Sequence, residues 1–303
     1  MRMKKLLPGA LPPMITPFTE NGDVDYAAFE SNVAKWNDTD LTGYLVLGSN
    51  SETAFLSEKE KDELLKITAS TASKDRYLMA GTSLEGLRET IRYTNKAAEL
   101  GMDAALVLTP NYYDSAMNSK NLVKYFTALA DASDIPILIY NVSKFTHVNI
   151  KPDAVAELCT HPNIIGMKDS QGDFVQLANF KRALGDNFGD KFNLIVGTAS
   201  MYYPALQLGV KNAIMALANC CPNECGRMYR LFDEGKLDEG MELYMRMLPV
   251  NTAVTGTYGI AGLKYACDLL GYKGGYVRVP LLDSSDKDKA EIRAILEKAQ
   301  LLG

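Results

Sequence analysis

Residues 163–173 read NIIGMKDSQGD. Residues 164–167 carry no charge, Lys168 follows at once, and the chain is polar from there on. A run of this kind lacks the alternation of a half-wet strand and suits one buried on both faces. Its lysine has two readings. Either the strand has reached water, or the amine is needed where the strand ends.

The run is one of eight. LPPMITPF begins at residue 11, GYLVLGS at 43, YLMAGTS at 77, AALVLTP at 104, IPILIYNV at 135, IIGMKDS at 164, FNLIVGTA at 192 and NAIMALAN at 212. The starts lie 20 to 34 residues apart, yet the segments share no wording, so the period is structural. Helical patterns fill the gaps. SEKEKDELLKITAS opens with a capping box, Ser57 with Glu60. LRETIRYTNKAAELG stops at Gly101, and KPDAVAELCT has Pro152 in its first turn. Eight strand–helix units predict a (β/α)₈ TIM barrel over residues 1–222. The competitor, a doubly wound open sheet, would want a GxGxxG after the first strand, and none is there. CGRMYRLFDEGKLDEGMELYMRML, GIAGLKYACDLLG and DKDKAEIRAILEKAQ read as helices. They predict a C-terminal helical extension, residues 223–303, packed on the barrel without a flexible linker.

Composition narrows the function. Of the 303 residues 47% are hydrophobic and 23% charged, as in a soluble globular protein with a sizeable core. Net charge is −5, the 32 Lys and Arg are spread thinly, and the dense basic group is MRMKK at the start. Nucleic acid and acidic membrane surfaces are therefore set aside as partners. No window holds the roughly 18 apolar residues of a spanning helix. Prolines interrupt LLPGALPPMITPF, so no signal peptide is read and a cytoplasmic setting is expected. The five cysteines include CCPNEC, which has no second cluster and no histidine nearby. Free thiols in a reducing compartment are expected, and no metal site. With only His147 and His161 in the chain, an imidazole-bound catalytic metal is not expected either.

In such barrels the reactive groups sit at the C-terminal ends of the strands. Here those ends read GSNSE, TPNYY, YNVS, MKDS and VGTAS, bringing hydroxyls, amides and one amine to a single mouth. Lys168 is the candidate nucleophile. A free lysine, with a pKa near 10.4, is about 0.04% neutral at pH 7, and an apolar strand environment favours the neutral form. Tyr140 ends the neighbouring run, where a phenol beside an amine can shuttle protons; it also reads as a core aromatic. GSNSE offers backbone donors with Ser49, Asn50 and Ser51 as a carboxylate cradle, and reads equally as a turn into a helix.

The ordered series GSNSE, TPNYY, YNV, GMKDS and ALAN, with PMITPF near the start and YKGGYVRVPL near the end, resembles a known family. It is the pyruvate-dependent class I aldolases that include dihydrodipicolinate synthase and N-acetylneuraminate lyase. The resemblance covers nearly the whole chain. Within the family it is most similar to 4-hydroxy-2-oxoglutarate aldolases, whose GSNGE and GMKDSGGD approximate GSNSE and GMKDSQGD; lysine-pathway synthases carry GTTGE. The resemblance implies that Lys168 forms a Schiff base with a 2-oxo acid, and that Tyr140, Ser49 and Tyr113 relay protons. Tyr113 would enter from a neighbouring subunit, so a homo-oligomer, a dimer or tetramer, is implied. Ser49 and Asn50 would hold the pyruvyl carboxylate, with Ser170, Gly197 and Ile214 lining the site. No metal or organic cofactor is implied, since the protonated imine is the electron sink.

The implied function is reversible cleavage of a 4-hydroxy-2-oxo acid, such as 4-hydroxy-2-oxoglutarate, to pyruvate and an aldehyde. Alternatives within the family are a 2-keto-3-deoxy sugar acid aldolase and dihydrodipicolinate synthase, which joins pyruvate to aspartate semialdehyde. Two other classes compete. A non-catalytic 2-oxo-acid-binding barrel is one; a barrel with lysine-bound pyridoxal phosphate is the other, and would need a phosphate cup that is not identified. The departures bear on the aldehyde. Phe145 stands where the synthases place an arginine, Ser143 replaces a proline, His147 a glycine, and Ser51 the glycine of GSNGE. Lys144, next to Phe145, is expected to point away from the site.

Overall fold

A computed structural model describes residues 5–302; the basic group before Lys5 and the final Gly303 lie outside the described residues. Eight short strands alternate with helices: β1 (Gly9–Leu11), β2 (Gly43–Val46), β3 (Tyr77–Gly81), β4 (Ala104–Leu108), β5 (Ile137–Asn141), β6 (Ile164–Asp169), β7 (Asn193–Val196) and β8 (Asn212–Ile214). Every ladder is parallel, in the order β1-β8-β7-β6-β5-β4-β3-β2. Three backbone hydrogen bonds bridge the remaining seam between β1 and β2. Thr42 donates to Ala10 at 3.1 Å, Leu45 to Pro12 at 3.0 Å and Met14 to Leu45 at 2.8 Å. This is the expected (β/α)₈ barrel.

The outer helices are α1 (Tyr26–Asn37), α2 (Glu58–Thr71), α3 (Leu87–Glu99), α4 (Ser119–Asp131), the single turn α5 (Ser143–Thr146), α6 (Pro152–Leu158), α7 (Phe174–Leu184), α8 (Ala199–Gln207) and α9 (Pro222–Asp233). The start and stop signals act as read. Ser57 accepts from the Glu60 amide at 3.3 Å while Glu60 accepts from the Ser57 amide at 2.7 Å. Gly101 follows α3 at φ 94°, where glycine carries no Cβ penalty. α9 packs on β1 and α8. Beyond it come α10 (Leu237–Thr252), α11 (Gly259–Leu269) and α12 (Asp286–Lys298). The stretch read as one helix from Cys225 to Leu248 is two, because Gly235 turns the chain at φ 73°.

Two apolar layers result from the period-2 alternation of strands. One side of each strand packs on the helices. The other fills the barrel with Leu11, Leu45, Met79, Leu106, Leu138, Ile195 and Ile214, all buried. Inside this plug, at its C-terminal end, stand the two polar side chains read from the sequence, Tyr140 and Lys168.

Candidate active site

β5 and β6 set the central geometry. Their register opens with Ile137 beside Ile164 and then slips, so that Leu138 lies beside Gly166 and Tyr140 beside Lys168. Paired residues of parallel strands share a face, so both side chains turn into the barrel. Gly166 makes room below: a Cβ there would meet the Asn193 carbonyl oxygen at 2.5 Å. Behind the pair, Asn141 Nδ2 donates to Asp169 at 2.7 Å and to Asn149 at 2.8 Å, and Gln176 Nε2 donates to Asp169 at 3.1 Å. Burial raises the Asp169 pKa against the pull of these amides. The network ties the ends of β5 and β6 together from the outer face.

Lys168 is 3% exposed, and its Nζ lies 4.3 Å from the centroid of the Tyr140 ring. The Tyr140 hydroxyl lies 3.5 Å from Ser49 Oγ. Burial works to raise the Tyr140 pKa, but the charge of Lys168 and the hydroxyls of Ser49 and Ser170 prevail, and it falls below the ordinary 10.0. Ser170 Oγ is buried close enough to the Tyr140 hydroxyl to act on its charge, but makes no hydrogen bond of good geometry. A Cβ on Gly197 would lie 1.7 Å from that oxygen, so glycine leaves Ser170 its place.

GSNSE forms a short 3₁₀ turn, Ser49–Ser51, bracketed by two left-handed residues, Leu47 at φ 60° and Glu52 at φ 54°. Such conformations cost about 1–2 kcal/mol each and persist only where surroundings impose them. Here Ser51 turns its hydroxyl away from the mouth onto the Met14 carbonyl, and Thr16 Oγ1 donates to the Ser51 carbonyl at 2.8 Å. Glu52 meets Lys264 Nζ of α11 at 2.6 Å and accepts from the Arg278 amide at 2.9 Å. Lys264 and Arg278 cover the Phe18 ring, at 4.5 Å and 4.3 Å from its centroid. The C-terminal segment thus grips the turn that carries Ser49 and Asn50.

A cavity of about 590 Å³ opens at this end of the barrel, lined by Ser49, Asn50, Tyr140, Lys168, Ser170 and Gly197 among others. Two expected residues lie elsewhere. Ile214 is wholly buried in the plug and does not reach the cavity wall. Tyr113 is 71% exposed, packs edge-to-face on Tyr112 at 5.1 Å and lines a different cleft with Glu85, Met117 and Tyr125. One chain alone does not bring it to Lys168. A third expectation is corrected: Lys144 faces the cavity together with Phe145. The turn α5 follows β5 directly, and Ser143 Oγ donates to Gln171 at 2.7 Å, holding that turn over the mouth. His147 closes α5 at φ 55°, which is why a glycine suits that place.

Part of the wall went unread in the sequence. After α10 the chain makes a π-helical turn, Ala253–Thr257, and Val254, Thr255, Gly256 and Tyr258 line the cavity. The available signal is composition: residues 252–259, TAVTGTYG, are β-branched or glycine in six places, poor material for an α-helix. π-turns recur at functional sites. Among the described residues no helix is long and apolar enough to cross a membrane.

A buried lysine against a tyrosine, at the C-terminal mouth of a (β/α)₈ barrel, is the arrangement of a class I aldolase-type lyase or synthase. Residues 6–299 match the Dihydrodipicolinate synthetase family, and the chain belongs to it. Among curated relatives, the 4-hydroxy-tetrahydrodipicolinate synthases of Methanothrix thermoacetophila and Methanoculleus marisnigri are similar. The first is 32% identical over 290 residues, covering 96% of both chains. The second is 33% identical over 290 residues, covering 95% of this chain and 98% of the relative. Solved structures agree. Dihydrodipicolinate synthase from Cyanidioschyzon merolae with lysine bound superposes with TM-score 0.91 at 27% identity, over 99% of this chain and 100% of that one. The Bacillus anthracis enzyme does so with TM-score 0.90 at 25% identity, over 97% and 99%.

Proposed function

We propose that this chain joins pyruvate to an aldehyde, and reverses that reaction, through a Schiff base on Lys168. The observation that carries the reading is the setting of the amine: buried at the barrel mouth, stacked on Tyr140, and without a carboxylate partner among the described residues. The neutral amine attacks C2 of pyruvate, and the ketone oxygen takes a proton to give a carbinolamine. Loss of water gives the imine, and loss of a methyl proton gives the enamine. The enamine carbon attacks the aldehyde carbon, whose oxygen takes a proton, and hydrolysis frees the product. Tyr140 and Ser49 relay these protons. Asn50, the Ser170 hydroxyl and Ser49 hold the carboxylate of pyruvate. Tyr113 would complete the relay from a neighbouring copy in a dimer or tetramer.

For the aldehyde, the named function of the relatives favours synthase chemistry with aspartate semialdehyde. A second reading, cleavage of 4-hydroxy-2-oxoglutarate, is favoured by GSNSE, GMKDSQGD and by Phe145 where synthases carry arginine. The experiment is borohydride reduction in the presence of pyruvate, with peptide mass mapping. A reduced pyruvyl group on Lys168, absent from Lys168→Ala, is expected. An unmodified Lys168 at saturating pyruvate would end the Schiff-base reading and leave a barrel that only binds 2-oxo acids. Comparing kcat/KM for the two substrate pairs separates synthase from aldolase.

A further inference from the structure

We infer that Gln171 is a specificity-determining residue: its side-chain amide donates to an oxygen that the aldehyde carries beyond its reacting carbonyl. The inference rests on the Schiff-base reading and deepens it.

Gln171 follows Lys168 by three residues, stands next to Ser170 and lines the same cavity. Both of its ends are held. Its backbone N–H donates to the Asp169 carboxylate, which Asn141 and Gln176 clamp in turn at 2.7 Å and 3.1 Å. Its side-chain Oε1 accepts from Ser143 Oγ, at the start of α5, at 2.7 Å. That bond sets the plane of the amide and leaves the opposite atom, Nε2, needing an acceptor of its own. Among the described residues Nε2 has none, although the atom is shut off from water. Leaving a buried donor unmade costs more than a neutral hydrogen bond returns.

Elimination points to the aldehyde as the source of that acceptor. Pyruvate has no oxygen to spare: its ketone oxygen leaves as water, and Ser49, Asn50 and Ser170 take its carboxylate. The aldehyde's own carbonyl oxygen belongs to the proton relay of Tyr140 and Ser49. What remains is an oxygen farther along the aldehyde chain, which would extend outward from Lys168 past Gln171 toward α5. Gln171 and Ser143 also depart together from the patterns this chain otherwise resembles, a glycine in GMKDSGGD and a proline after YNV, and the two touch each other. A donor whose direction is fixed accepts a hydroxyl or a carboxylate oxygen alike, and offers a bare alkyl chain nothing.

The test measures kcat/KM for condensation of pyruvate with aldehydes paired to differ in one group. Glycolaldehyde against acetaldehyde reads a hydroxyl, and succinate semialdehyde against butanal reads a carboxylate. The wild type should favour the oxygenated member, and the pair with the larger preference identifies the oxygen. Gln171→Met keeps the length and removes the donor. It should lower that preference roughly three- to tenfold for a hydroxyl, or ten- to a hundredfold for a carboxylate. Gln171→Glu should abolish a carboxylate preference but keep part of a hydroxyl preference, since a hydroxyl can donate to the new side chain. Ser143→Ala, which frees the amide to turn, should lower the preference by less than Gln171→Met. A preference absent from the wild type, or unchanged in Gln171→Met because both members of a pair lose rate equally, would overturn the assignment. Borohydride trapping of pyruvate on wild-type Lys168, run alongside, keeps this failure distinct from failure of the Schiff-base reading.

Discussion

Tyr140 and Lys168 face each other because the β5–β6 ladder slips by one residue just below them. Continued from its first pair, Ile137 beside Ile164, the register would set Tyr140 beside Met167. Lys168 would then turn with Asn141 to the outer face. The slip returns both side chains to the barrel interior and brings the amine to 4.3 Å from the ring centroid. A β-bulge that re-aims a side chain at a site is a recurring device.

One consequence is spectroscopic. Burial works against ionisation of Tyr140, but the Lys168 charge and the hydroxyls of Ser49 and Ser170 together more than offset it, so one tyrosine should ionise below pH 10 in a difference titration at the phenolate band. In Lys168→Met the charge is gone and burial remains, and that transition should move upward. With its folded pKa below the unfolded one, Tyr140 adds stability that is fully present above the unfolded value and is lost as pH falls through the folded value. A tyrosine transition unmoved by Lys168→Met would contradict this coupling.

Catalysis should depend on the same hydroxyl. Tyr140→Phe keeps the ring and the stacking and removes the proton carrier, so kcat should fall roughly a hundred- to ten-thousandfold, with pyruvate KM changed little. Ser49→Ala, whose hydroxyl lies 3.5 Å from that of Tyr140, should fall in the same direction by less. Steady-state rates with folding checked by circular dichroism decide it; near wild-type kcat in Tyr140→Phe would move the relay elsewhere.

How much of this was legible beforehand depends on what the local signal encodes. The barrel was, because doubly buried strands lack alternation and capping signals such as Ser57–Glu60 mark helix starts. Lys168 and Tyr140 were, since each ends a buried run. Ile214 lies buried in the plug and not on the cavity wall, a depth along the barrel axis that residue type does not tell. Lys144 was misdirected because three residues after a strand the chain enters α5, and strand alternation no longer governs which way a side chain points. The π-turn that lines the wall depends on where α10 packs, which no local pattern specifies.

Gly197 offers a steric test. A Cβ there would stand 1.7 Å from Ser170 Oγ, 2.7 Å from its Cβ and 2.9 Å from its Cα. Rotating the serine relieves only the first contact, so the loop itself must shift. Gly197→Ala should cost about 1–3 kcal/mol of stability in urea unfolding and lower pyruvate affinity in trapping titrations, with the Lys168 adduct still formed. Unchanged pyruvate affinity would remove Ser170 from the carboxylate site.

The last prediction concerns the ion pair beneath the Ser49 turn. Lys264 and Glu52 are buried at 2.6 Å, burial lowering the lysine pKa against the opposing pull of Glu52. Lys264→Met would leave the Glu52 carboxylate buried with the Arg278 amide at 2.9 Å as its remaining donor. Removing one member of a buried pair costs about 3–5 kcal/mol, whereas removing both charges costs much less. Lys264→Met should therefore unfold at distinctly lower urea, and Lys264→Met with Glu52→Gln should recover part of the loss. Glu52 sits at φ 54° and closes the turn that carries Ser49 and Asn50, so the single variant should also raise pyruvate KM more than it lowers kcat. If the double variant is as unstable as the single, the penalty lies in packing around Phe18 and the stranded carboxylate is not its cause.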